Sequence, residues 1–298
     1  MFDSKKSAVI LMSLVVCIWG AEYTVAKTLM DTYSAANVLL FKYVSGIIGL
    51  GAVRFTLGRG HKTEKKDYIP FLVVTFFGVV MYFVCDYAAL DYLPVSVVTI
   101  VLAFVPVVSI LVERILFRKK MTAKIIVGVI GSVIGVAIVI GTDFSALLHG
   151  KLIGYVLAFG AVLSWVIYNF LMEPLSKKYS HYTIGFNQVF CALILVLPFQ
   201  IASPPDMTLF RPGMLVGVLY LGFASALVGY MAMPIALKNL GPTPFGIFSN
   251  FLPITSSLFA WIFLGQSMTL LQMAGCGIVI AFSCLVIVEV GKRDAASQ

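Results

Sequence analysis

The chain alternates long apolar stretches with short polar breaks. A helix crossing the hydrocarbon core of a bilayer needs about 20 apolar residues. About ten such stretches can be placed, near 8–29, 36–57, 69–91, 95–116, 123–142, 152–172, 183–202, 213–234, 243–264 and 270–290. Asp31 and Ser34, the run Gly58 to Asp67, Pro94, Thr142–Asp143, Pro204–Pro205 and Gly241–Pro242 separate them. The connections are short, and no segment could form a separate soluble domain. The pattern predicts an all-α integral membrane protein. Its first stretch follows Lys5 and Lys6, as a signal peptide would. It then continues past Trp19 to about Leu29 with no small-x-small cleavage site, which predicts an uncleaved first span.

Composition supports the membrane reading. Of 298 residues, 60% are hydrophobic and only 11% are charged, whereas a soluble domain carries roughly 25% charged residues. Such a chain cannot build a charged coat, and disorder or a disulfide scaffold is excluded as well. The net charge of +8 is spread between apolar runs, which points to a lipid bilayer and not to nucleic acid. With the N-terminus inside, 17 of the 21 Lys and Arg residues fall on the inner side, Lys27, Lys151 and Arg211 on the outer side, and Lys42 within a span. This bias predicts both termini in the cytoplasm, an even number of spans, and a multi-pass protein of the inner or plasma membrane. Cys17, Cys85, Cys191, Cys276 and Cys284 all lie in apolar runs without a C-x-x-C pair, and His61, His149 and His181 lie in connections. No metal site and no cofactor are therefore expected.

The chain also repeats itself. Residues 89–128 match 236–275 at a constant offset of 147, through Ala89/Ala236, Leu90/Leu237, Leu93/Leu240, Pro106/Pro253, Ser109/Ser256, Met121/Met268, Thr122/Thr269 and Gly128/Gly275. Trp19 and Trp165 pair at an offset of 146. Two copies of five spans each, over 1–145 and 146–298, follow. An odd number of spans inverts the second copy, giving ten transmembrane helices as two inverted five-helix repeats. Transporters recurrently use this plan, with substrate held near the midplane between the repeats.

The stretch Trp19–Gly20–Ala21–Glu22–Tyr23–Thr24–Val25–Ala26–Lys27 resembles the first-span motif of EamA-type transporters in the drug/metabolite transporter superfamily. Tyr87–Ala88–Ala89–Leu90–Asp91–Tyr92–Leu93–Pro94 resembles the end of their third span. The segment from Pro253 through Leu264–Gly265–Gln266–Ser267–Met268–Thr269 to Gly275 is similar to their ninth-to-tenth-span signature. The resemblance covers nearly the whole chain as two tandem copies. It implies a secondary transporter, mostly exporting, with a small-molecule substrate. The family usually carries Glu after the Leu-Gly pair, where this chain has Gln266 and, in the first copy, Lys119. Glu22 stands where the family more often has a small or uncharged residue. Together with Ala21 and Lys27 it is similar to the first span of the small multidrug resistance proteins, whose glutamate handles protons and cationic substrates. Lys42 aligns with a position that is often Arg in EamA-type proteins.

Ionisable side chains inside a span are costly and mark functional candidates. Glu22, Lys42 and Asp86 are expected roughly 21, 22 and 25 Å from the inner edge of the core, at 1.5 Å per residue. Helical spacing groups Trp19, Glu22 and Ala26 on one face, Lys42, Ser45, Gly46 and Gly49 on another, and Thr75, Gly78, Tyr82, Asp86 and Ala89 on a third. Three charges at one level suggest a common polar cavity. Glu22 and Lys42 have three readings: a structural ion pair, a role in substrate binding or proton coupling, or snorkelling to the outer surface. The second copy contributes Trp165, Tyr168 and Asn169, then Asn187 and Gln188, Tyr230, and Asn250. These suit a small amphipathic substrate, or serve as interhelical glue. Pro106, Pro234 and Pro253 are expected to interrupt helices. Gly128, Gly131 and Gly135 mark a packing face within the chain or a dimer seam.

The sequence thus predicts an alternating-access exporter of a small organic metabolite, such as an amino acid, or of a drug-like amphiphile, coupled to protons through Glu22. The alternatives within transport are an uptake permease and proton-coupled efflux of a cationic drug. The protein is expected to act as a monomer or homodimer. An intramembrane enzyme is disfavoured by the lack of a G-x-S-x-G elbow, of H-E-x-x-H and of any histidine at membrane depth. No nucleotide-binding loop is present to supply ATP drive.

Overall fold

The computed structural model describes residues 4–57, 62–90, 92–93, 98, 101–140, 151–264 and 269–296. Every regular element among them is helical. In chain order these are α1 (Lys5–Met30), α2 (Ala35–Thr56), α3 (Tyr68–Thr75), a π-helical turn (Phe76–Met81) and α4 (Tyr82–Leu90). Then come α5 (Val105–Leu116), α6 (Ala123–Ile140), α7 (Leu152–Lys178) and α8 (His181–Ala202). They are followed by α9 (Pro212–Leu219), a second π-helical segment (Tyr220–Val228) and α10 (Gly229–Leu240). The chain ends with α11 (Pro242–Ile247), a 3-10 turn (Phe248–Phe251), α12 (Leu252–Leu264) and α13 (Leu270–Ala295). Among the described residues, six lengths are long and apolar enough to cross a membrane: Ala35–Thr56, Lys65–Asp86, Leu152–Lys178, His181–Ala202, Pro212–Leu240 and Leu270–Ala295. Several sequence landmarks lie outside the described residues: His61, Asp91, Pro94, Thr142–Asp143, His149 and Gly265–Met268.

The repeat has a physical expression. Ser34 and Ser180, offset by 146, cap α2 and α8 by accepting from the backbone N–H three residues on, each at 3.3 Å. Thr122 accepts from the Ile125 N–H, and Thr269 forms a capping box with Gln272. Pro106 and Pro253 are each the second residue of a new helix, α5 and α12, where no backbone N–H is needed. They therefore mark breaks in their apolar stretches, as the sequence predicts, whereas Pro234 sits inside the continuous helix α10. The π-helical turn at Phe76–Met81, moved by the repeat offset of 147, falls on 223–228, within the second π-helical segment. Phe76 and Phe223 occupy equivalent places in the two. The sequence reading did not foresee these wide turns, because no side-chain periodicity announces an extra residue per turn.

The chain forms two compact units, each drawing on both sequence copies: Met1–Val80 with Phe170–Asn239, and Met81–Asn169 with Leu240–Gln298. In the first unit, α2 packs against α8 and against the second π-helical segment. Small residues allow the second contact. A Cβ on Gly222 would overlap the Ser45 hydroxyl and lie 2.8 Å from the Gly46 nitrogen. The Ser45 hydroxyl donates to its own helix and to the Val218 carbonyl at 3.1 Å. Ala26, Leu29, Tyr33, Val38, Val218 and Leu221 form a buried apolar cluster beside it. A polar clasp ties the segment before α3 to the end of α7. Lys178 pairs with Asp67 at 2.5 Å and with Glu64 at 2.8 Å, and the Tyr179 hydroxyl donates to Asp67 and accepts from the Glu64 N–H.

In the second unit, α6 lies along α13. Side chains at Gly128, Gly131 and Gly135 would run into Val286, Phe282 and Val279, so this glycine face is intramolecular packing. Ile110, Ile125, Val129, Ile247, Val286 and Val290 close the core there. At the end of α5, buried Glu113 accepts from Arg293 at 2.7 Å and from Lys119 at 3.0 Å, joining α5 to the last helix.

Two outcomes check this packing. Gly222→Val overfills the α2 crossing and should lower stability by about 1–3 kcal/mol. Gly277→Val, at a site with nothing within 4 Å, should leave the melting temperature of the purified protein unchanged. The clasp should also be sensitive to acid. Lys178 first, then Lys66, hold the exposed Glu64 carboxyl below its ordinary value of 4.5. Its contribution is therefore present above pH 4.5 and is lost as pH falls through the lower folded value. Glu64→Gln should flatten that part of a melting-temperature-versus-pH curve, and 1 M salt should mimic the substitution.

Candidate functional site

The first unit holds a compensated charge. Glu22 on α1 and Lys42 on α2 meet with Nζ 2.5 Å from Oε1, their side chains 15% and 6% exposed. The Ser225 hydroxyl donates to the other carboxylate oxygen, Oε2. Ser225 belongs to the π-helical segment, whose wide turn supports this hydroxyl beside the pair. Next to it the Tyr43 and Tyr230 hydroxyls are 3.1 Å apart, with the Lys42 ammonium 6.0 Å from the Tyr43 ring centre. Tyr220 donates to the Ile18 carbonyl at 2.7 Å. Trp19, one turn before Glu22, lies over Gly229, where a Cβ would come within 2.9 Å of the indole nitrogen. Of the sequence candidates, Trp19, Glu22, Lys42 and Tyr230 thus converge in this unit. Gln188 is buried on α8. Asn187 donates to the Thr63 hydroxyl at 2.6 Å, tying α8 to the connection before α3.

The second unit holds an aromatic group. Trp165 stacks on Tyr168, with ring centres 5.0 Å apart and 25° between planes, and lies at 6.3 Å and 26° from Phe245. Tyr82 meets the same indole at 5.1 Å. Trp165 and Tyr82 are only half-buried although both lie well inside apolar stretches. Asn169, one turn past Trp165, is fully buried with neither amide atom hydrogen-bonded. The Ser109 and Thr243 hydroxyls are likewise buried and unpartnered. Ser109 and Asn169 both face Gly246, so α5, α7 and α11 bring unsatisfied polar groups together beside the rings. Asn250 donates to the Ser132 hydroxyl at 3.0 Å. Asp86, one turn past Tyr82, is 3% exposed and makes no hydrogen bond or ion pair among the described residues. Of the three charges predicted at one level, Glu22 and Lys42 meet in one unit, and Asp86 lies in the other.

Sequence reasoning missed Ser225, Tyr43 and Phe245. Ser225 lies in the segment equivalent to the π turn of the third span. The repeat, extended past the region of identical residues, carries the only sequence signal for it. Nothing in the sequence distinguishes Tyr43 or Phe245 from other apolar-stretch aromatics.

The family model of the EamA-like transporter family matches residues 6–141 and again 152–288. An uncharacterized transporter of Archaeoglobus fulgidus is 24% identical over 274 residues, covering 91% of this chain and 95% of that protein. Protein PecM of Dickeya dadantii is 25% identical over 280 residues, covering 92% and 89%. A probable amino-acid metabolite efflux pump of Escherichia coli K12 is 20% identical over 295 residues, covering 93% of each. One solved crystal structure superposes with a TM-score of 0.78 at 14% identity, over 95% of this chain and 98% of that one, a likeness of fold alone. The Archaeoglobus fulgidus and Escherichia coli relatives carry transporter names, and the long apolar helices make this a multi-pass membrane protein. With two family matches that together span nearly its whole length, the chain belongs to the EamA-like transporter family.

Proposed function

We propose that the protein is a secondary transporter of ten spans in two inverted five-helix repeats, 1–145 and 146–298, with both termini in the cytoplasm of an inner or plasma membrane. It exports a small organic metabolite, such as an amino acid or a drug-like amphiphile, by alternating access. One observation carries the reading: the half-buried Tyr82–Trp165 pair, stacked on Tyr168 and Phe245 and followed by the unsatisfied Asn169. In lipid an unsatisfied amide is costly, and a ring in mid-span has no interfacial role. Rings beside amides suit a ligand with an apolar ring and a polar end. The efflux named for the Escherichia coli relative favours export.

In this reading Glu22 is the coupling carboxyl. Its charge is balanced by Lys42 and Ser225, so protonation of Glu22 releases Lys42 and changes the contacts between α1, α2 and the π-helical segment. Alternation then links proton entry to repacking of elements already in close contact.

Reconstituted protein should move labelled aromatic amino acids or amphiphiles down an imposed gradient. Wild-type vesicles that move none of them would defeat the transporter reading. Glu22→Gln should abolish pH-driven accumulation while sparing exchange, and uphill accumulation retained in that variant would remove Glu22 from coupling. Trp165→Ala should raise the half-saturating concentration about tenfold by losing ring stacking, and an unchanged value would exclude the indole from the site.

A further inference from the structure

The geometry points to Asp86 as the counter-charge for an ammonium group on the transported molecule, which makes that molecule an aromatic amine. The inference rests on the transporter reading and narrows its substrate class. It starts from a contrast between two carboxyl groups. Glu22 has a lysine and a hydroxyl on its two oxygens. Asp86 is 3% exposed with no partner among the described residues. A carboxylate without a counter-charge in an apolar interior is expensive, and the neutral acid is the cheaper resting form. Such a group is matched by an arriving cation.

The surroundings say which cation. Tyr82 lies one helical turn from Asp86 on the same face, and its ring leads through Trp165 to Tyr168 and Phe245. Aromatic faces attract an ammonium group and stack on an aromatic body. A bare metal ion would have no aromatic body to stack. The groups around Asp86 leave its charge open. On α4 the titratable neighbours are Tyr82 and Cys85. On α7, which meets α4 where Gly160 faces Cys85, they are Tyr155 and Tyr168, with Lys151 just before the helix. Lys151 lies 5.7 Å from the centre of the Tyr92 ring. On α5, Glu113 is already paired with Arg293 and Lys119. α11 carries no titratable side chain.

Binding is an exchange at one carboxyl. The substrate arrives as R–NH3+, the carboxyl O–H of Asp86 breaks, its proton passes to water, and the carboxylate pairs with the ammonium. The site's net charge is unchanged. Protons and amine therefore compete, and amine affinity rises with pH until the amine itself deprotonates.

The test uses tryptamine and its uncharged isostere tryptophol on the detergent-purified full chain. Calorimetry in two buffers of different ionisation enthalpy counts protons, between about pH 5.5 and 8.5. Wild type should prefer tryptamine by about tenfold or more, release a proton on binding it, and bind it more tightly as pH rises. Asp86→Asn should lose the preference, the proton release and the pH dependence together, while still binding tryptophol, which shows that the variant is folded. Asp86→Glu should restore all three, and Glu64→Gln, in the clasp outside the site, should keep them. The proposal is overturned if Asp86→Asn keeps the preference or the proton release, or if wild type fails to favour tryptamine. Vesicles that move no substrate although this binding behaviour is intact would defeat the transporter reading alone.

Discussion

Backbone hydrogen bonds have no water to fall back on inside a bilayer. That constraint explains the helical architecture, and it explains where the helices depart from regularity. The chain places its breaks with residues that tolerate them. Prolines open α5 and α12, serines cap α2 and α8, and threonines begin α6 and α13. Each device satisfies or removes a backbone donor that lipid would leave unpaired. The two π-helical segments keep their hydrogen bonds while changing the direction in which side chains point. In the first unit that change supports the Ser225 hydroxyl on the Glu22 carboxylate.

The duplication is therefore more than a likeness of sequence. Caps, prolines and π turns recur at the repeat offset, so each copy carries the same instructions for entering and leaving its helices. The side chains placed on that common frame have diverged. At the offset that pairs Trp19 with Trp165, Glu22 corresponds to Tyr168 and Lys42 to Gln188. The first copy has an ion pair where the second has an aromatic ring and an amide. Divergence of chemistry on a conserved frame gives a duplicated membrane protein two different polar centres.

Those centres differ in how completely their charge is balanced. A buried pair such as Glu22–Lys42 is held by mutual attraction and is strongly destabilised when one partner is removed. The unpartnered groups of the other unit, Asp86, Asn169, Ser109 and Thr243, have unmet hydrogen-bonding capacity instead. Folding alone does not favour such groups, because an apolar residue of the same shape would cost less. In the proposed reading, their presence beside half-buried aromatic rings marks the place that accepts a polar substrate.

Much of this was legible in the residues. The apolar stretches, their breaks, the duplication, the Ser and Thr caps and the family motifs all depend on local spacing, and local spacing is written along the chain. Sequence also marked Glu22, Lys42 and Asp86 as costly charges. Which of them meet was decided only by tertiary structure, because helical periodicity assigns a residue to a face and says nothing of what that face touches. The same holds for Ser225 on Glu22, for Phe245 joining Trp165, and for Gly222 lying under Ser45. These contacts join residues far apart in the chain, and they arise from helix crossings set by the packing of whole surfaces.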